Sequence, residues 1–109
     1  MLTTIELFAG CGGLTDGFKK SGCYELLAGV EWDINAASTL RKRLANIYKY
    51  SDSDERIVHF DIQRTEELIA GFDDETYGNS KGLNQLVNDR ALDVVIGGPP
   101  CQAYSVAGR

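Results

Sequence analysis

No apolar run in this 109-residue chain approaches the ~20 residues that a membrane-spanning helix requires. No charged stretch followed by an apolar leader stands at its start, so a secretory address is not expected. Cys11, Cys23 and Cys101 include no Cys-x-x-Cys pair, and their odd number argues against a disulfide framework. Together these absences point to a reduced, cytoplasmic setting. The single histidine, His59, lies inside an apolar run with no second ligand spaced to help it, which argues against a metal centre. Repeats and low-complexity tracts are missing too. Positive charge is short: the formal net charge is −5, whereas a nucleic-acid binder needs a basic face to displace counterions from phosphates. A chain of this length has room for one small domain.

What is present is an alternation of short apolar runs with amphipathic stretches. The pattern predicts strands over 3–8, 25–30, 57–60 and 92–97, and helices over 14–21, 34–47, 64–70 and 83–89. Asp33 is placed to cap the 34–47 helix. Ala36, Ala37, Leu40, Leu44 and Ile47 recur at spacings that make one apolar face of it, leaving Arg41, Lys42 and Arg43 on an exposed face. Strands alternating with helices imply an α/β fold with a parallel sheet and right-handed crossovers. The expected strand order is 3-2-1-4, and the reversal between strands 1 and 4 opens a crevice at the carboxyl edge. Strand 4 is left with an open edge. Residues 71–82 hold turn formers without apolar periodicity and read as an exposed loop. The acidic clusters at 52–55 and 73–75 read as solvated loops, and Cys11 and Cys23 as small buried or turn residues.

Chemistry gathers at the strand tips. After the first strand comes Phe8-Ala9-Gly10-Cys11-Gly12-Gly13-Leu14, a strand, glycine turn and helix start of the kind that opens nucleotide-binding α/β folds. The turn is Gly-x-Gly-Gly, with Thr15 where the dinucleotide fingerprint continues differently. The second strand ends in Glu31-Trp32, an acid about 20 positions past the glycine turn, where such folds hold ribose hydroxyls. Trp32 has two open readings: a flat surface for a purine ring, or a staple packed beside the Asp33 cap. The third strand ends in Asp61-Ile62. The fourth ends in Gly97-Gly98-Pro99-Pro100-Cys101-Gln102, where two prolines make a stiff arm holding a thiol outside the sheet. A thiol so placed is either an incidental part of a rigid turn or a nucleophile facing the crevice.

In this order the motifs resemble those of the cytosine-5 DNA methyltransferases, and the resemblance covers essentially the whole chain. It implies a partial Rossmann-like S-adenosylmethionine-dependent fold. Phe8, Gly10, Gly12, Gly13 and Leu14 would line the cofactor, Glu31 would hold its ribose, Trp32 would stack on adenine, and Asp61 would accept from the adenine amino group beside Ile62. Gly98 and Pro99 would complete that pocket. Cys101 would be the nucleophile that adds to carbon 6 of cytosine, which makes carbon 5 reactive toward the methyl donor. Pro100, Gln102, Ser105 and Arg109 would meet the DNA. The resemblance further implies double-stranded DNA as substrate and membership of a restriction–modification system.

Members of that family also carry a Glu-Asn-Val motif, a Gln-x-Arg-x-Arg motif and a target-recognition region, none of which occurs here. Residues 1–109 are therefore expected to be the amino-terminal part of a catalytic domain, inactive alone and partnered by a missing carboxyl-terminal portion or a second subunit. Three other readings stay open: a tRNA cytosine-5 methyltransferase, a non-catalytic S-adenosylmethionine-binding module, and a nicotinamide-dependent oxidoreductase. Glu31 favours the last, while the glycine spacing opposes it.

Overall fold

The computed structural model describes residues 1–99. Strand β1 (Leu2–Leu7) leads through the glycine turn into helix α1 (Gly13–Ser21), and β2 (Tyr24–Glu31) into α2 (Ile34–Asn46). A single helical turn, α3 (Ser53–Arg56), precedes β3 (Ile57–His59) and α4 (Thr65–Ala70). A hairpin, β4 (Phe72–Asp74) with β5 (Gly78–Ser80), is followed by α5 (Leu83–Val87) and β6 (Val94–Gly97). The main sheet is parallel, in the order β3-β2-β1-β6. This is the expected order, with β6 as the fourth main-sheet strand.

β2 reads as an almost unbroken apolar run because both faces of the sheet are covered. On one face Leu26 and Ile57 pack with Ala37, Leu40 and Leu44 of α2. On the other, Val30, Val58 and Phe60 pack with Leu68 of α4 and with Phe72 and Tyr77 of the hairpin. α2 starts as expected, since Asp33 Oδ2 accepts the Ala36 N–H at 2.8 Å.

Four local expectations are corrected. Residues 71–82 are not an open loop: Phe72 stacks on Phe60 (centroids 3.8 Å apart, planes at 11°), and Tyr77 packs edge-on to the same ring. These ring contacts, with the β4–β5 ladder and the Arg64–Asp74 pair, hold a segment that shows no periodicity. The acidic clusters are structured, because Asp52 pairs with Arg56 and Asp74 with Arg64. Ile47 lies at the end of α2 and is exposed, so it adds nothing to that helix's apolar face. Arg41 is not a surface charge, since its guanidinium donates through Nε and Nη2 to the Ile57 carbonyl. Arg43 reaches Asp16, and only Lys42 remains fully on the exposed face. Cys11 and Cys23 are exposed turn residues. Among the described residues no helix is long and apolar enough to cross a membrane.

Candidate functional site

The carboxyl tips of β1, β2 and β3 stand side by side because the strands are parallel and, beyond a register shift after Thr4, set Leu7 opposite Val30 and Glu31 opposite His59. At the tip of β1 the chain must turn sharply, and Phe8 does so with a positive φ of 55°. That region is costly for a residue with a bulky side chain and marks a site held by its surroundings. Ala9 N–H then donates to the Val30 carbonyl at 3.0 Å, tying the turn to β2. Gly10 follows at φ 60° and Gly12 at φ 103°. A Cβ at Gly10 would meet no atom within 4 Å, whereas one at Gly12 would meet Leu40 Cδ1 at 2.7 Å. The first glycine thus leaves the cleft side open, and the second lets α2 approach the turn.

Glu31 is the clasp of this arrangement. Its Oε1 accepts the Gly10 N–H at 2.8 Å, and its Oε2 accepts the Asp33 N–H at 2.6 Å. Each carboxylate oxygen keeps a further lone pair for a ligand hydroxyl. At the next tip, Asp61 Oδ1 accepts the Gln63 N–H at 2.9 Å, and Oδ2 finds no donor among the described residues. Asp61 lines the cleft with that oxygen still able to accept.

A cleft of about 510 Å³ lies over these tips. That volume falls within the ~300–1,000 Å³ typical of small-molecule sites. Of the residues expected at the site, Phe8, Gly10, Glu31, Trp32, Asp61, Ile62 and Gly98 line it. Its wall is mostly apolar, with acids at two tips, which suits a flat heterocycle joined to a hydroxylated sugar. The donor set therefore fits an adenosyl group. Gly12, Gly13, Leu14 and Pro99 are not among the lining residues: Gly12 packs against α2, and Gly13 and Leu14 begin α1. Pro100, Cys101, Gln102, Ser105 and Arg109 lie outside the described residues.

Val30, Phe60 and Gln63 also line the cleft and were not expected there. Val30 and Phe60 looked like ordinary core residues, and in fact they serve core and cleft together. Gln63 had a signal in its place two residues past Asp61, where a short turn brings it back. Trp32 does not act as a staple, being 69% exposed. Its Nε1–H donates to Tyr77 Oη at 2.9 Å.

Beneath the glycine turn, Glu6 of β1 is 1% exposed and accepts a hydrogen bond from the Thr15 hydroxyl of α1. Burial pushes its carboxyl above the ordinary range, and the Thr15 bond opposes that. This contact accounts for a threonine where the dinucleotide pattern continues differently. A second cavity of about 340 Å³ lies between β3 and the hairpin. Of its charged residues Lys81 pairs with Glu55 at 3.2 Å and Arg41 donates to the Ile57 carbonyl. Among the described residues no cluster of His, Cys, Asp and Glu could hold a metal ion.

Known proteins resemble this chain over nearly all of its length. The type II methyltransferase M1.HphI of Haemophilus parahaemolyticus is 33% identical over 99% of this chain, which spans 23% of that relative. The type II methyltransferase M.DdeI of Desulfomicrobium norvegicum is 33% identical over 98% of the chain, which spans 20% of it. M.HgiGI of Herpetosiphon aurantiacus, also a type II methyltransferase, is 30% identical over 99% of the chain, here 66% of the relative's length. The family described as C-5 cytosine-specific DNA methylase matches residues 2–109, from the first strand through the Pro-Pro-Cys segment. Since that match covers nearly the whole chain, this chain belongs to the C-5 cytosine-specific DNA methylase family.

Proposed function

We propose that this chain forms the cofactor-binding and nucleophile-bearing part of an enzyme that transfers a methyl group from S-adenosylmethionine to carbon 5 of cytosine in DNA, within a restriction–modification system. The supporting observation is the cleft itself, which gathers Gly10, Glu31, Trp32, Asp61 and Gly98 from four separate chain segments. When bound, S-adenosylmethionine supplies an electrophilic methyl group on a sulfonium.

Within that reading Glu31 holds the ribose, Asp61 accepts from the adenine amino group, and Trp32, Phe60 and Ile62 cover the ring. A cytosine rotated by ~180° out of the duplex meets Cys101. The Cys101 thiolate adds to carbon 6, forming a C–S bond and moving the 5,6 electron pair to carbon 5. Carbon 5 takes the methyl group as the S–CH3 bond breaks with its electron pair staying on sulfur, and loss of the carbon-5 proton to a base then restores the double bond and expels the thiolate. Gln102, Ser105 and Arg109 contact the DNA. Because the chain carries a net charge of −5, most phosphate contacts come from a further portion or a second subunit.

The test uses an active preparation containing this chain, S-adenosylmethionine and a duplex with 5-fluorocytosine at the target. Fluorine cannot leave as the proton does, so a protein–DNA adduct should accumulate and survive denaturing electrophoresis. Cys101→Ser should abolish it, and Cys23→Ser should leave it intact. A crosslink that persists in Cys101→Ser would overturn the nucleophile assignment. Tight binding of NAD rather than S-adenosylmethionine in calorimetry would overturn the cofactor.

A further inference from the structure

We propose that Tyr77, on the β4–β5 hairpin, is a positioning residue that holds the Trp32 indole in place and thereby sets the affinity of the cleft for an adenine-bearing ligand. The inference rests on the cofactor reading above. Trp32 is 69% exposed, so packing alone does little to hold its rotamer. Its hydrogen bond to Tyr77 Oη, at 2.9 Å, bridges 45 residues of sequence.

Tyr77 is itself well held. Its ring meets His59 edge-on at 4.9 Å and Phe60 at 5.1 Å, and its N–H donates to Asp74 Oδ2 at 3.1 Å. Asp74 is anchored by Arg64 at 3.0 Å. Phe60, fully buried, supports both hairpin aromatics and also lines the cleft. The hairpin is thus a brace from the cleft floor to the cleft wall. Because Tyr77 occupies the indole N–H, what Trp32 offers a ligand is its ring face, the part that stacks on a purine. An indole already held in place loses less rotamer freedom on binding. The ordering cost spared corresponds to roughly three- to ten-fold in Kd.

Trp32 is the chain's only tryptophan, so its fluorescence reports this site directly. The comparison is between the 109-residue chain and Tyr77→Phe, which keeps the ring on Phe60 and removes only the hydroxyl. Without ligand, Tyr77→Phe should lower Trp32 anisotropy and increase quenching by acrylamide, with an unchanged thermal midpoint. On titration with S-adenosylhomocysteine, Trp32 emission should change in both proteins, with Kd three- to ten-fold weaker in Tyr77→Phe. In a Trp32→Phe background, followed by calorimetry, Tyr77→Phe should have no further effect, which a merely structural role would not produce. Equal anisotropy, equal quenching and equal Kd in the two proteins would overturn the brace while leaving the cofactor reading intact. A wild-type chain that ignores S-adenosylhomocysteine would overturn the cofactor reading and the affinity role together, and the ligand-free anisotropy would still decide whether Tyr77 holds Trp32.

Discussion

Glu31→Ala should weaken the fold as well as the cofactor site, by an amount that can be worked from its two hydrogen bonds. The bond from Gly10 N–H to Oε1 is 2.8 Å long and partly buried, and a backbone donor to a charged acceptor in such a place contributes ~1.5–3 kcal/mol. The bond from Asp33 N–H to Oε2, at 2.6 Å, is exposed, so water replaces most of it and its loss costs less than ~1 kcal/mol. The expected destabilisation is therefore ~2–3 kcal/mol. At ~4–8 °C per kcal/mol for a domain of this size, the midpoint should fall by roughly 8–24 °C. Glu31→Gln separates geometry from charge. Its amide oxygen can serve one N–H, while its NH₂ faces the other donor, so about half the loss is expected. Urea denaturation of the three proteins, followed by far-ultraviolet dichroism, measures both differences. Titration with S-adenosylhomocysteine below all three midpoints then measures any additional loss from the proposed ribose contact. If Glu31→Ala unfolds within ~0.5 kcal/mol of wild type, the clasp on the glycine turn is not energetically real and the reasoning fails.

Phe8 and Glu6 provide two further checks. At an ordinary position glycine is less stabilising than alanine by ~0.5–1 kcal/mol. At φ 55° alanine retains left-handed strain of ~1–2 kcal/mol, so Phe8→Gly should be at least as stable as Phe8→Ala. Alanine ahead by more than ~0.5 kcal/mol in urea midpoints would show that Phe8 stores no strain. Because burial raises the folded-state pKa of Glu6, its contribution to stability is complete below the ordinary value of 4.5 and is lost as pH climbs through the raised value. Glutamine has no proton to lose, so Glu6→Gln should gain stability relative to wild type as pH rises above 4.5. A difference that stays flat from about pH 4 to 8 would contradict a raised Glu6.

Strand tips are legible in this chain because their signals are local. An apolar run ending in Glu31-Trp32 or Asp61-Ile62 needs only neighbouring residues to be recognised, and so does the Asp33 cap. The strand order followed too, since alternating strands and helices with right-handed crossovers leave few arrangements. Long-range partners were not legible. Nothing near Thr15 announces that its hydroxyl meets a buried Glu6, and nothing near Gly12 shows that Leu40 will press against it. Nor does the stretch 71–82 look structured, because its order depends on Phe60, a residue of another element. By itself the sequence determined which side chains stand at the strand ends, for pattern and chain direction decide that. Only the tertiary structure decided what each is free to do there. Packing spends Glu31 on the Gly10 turn and ties Trp32 to Tyr77, and hydrogen bonds that span tens of residues exist only once the sheet has brought their ends together.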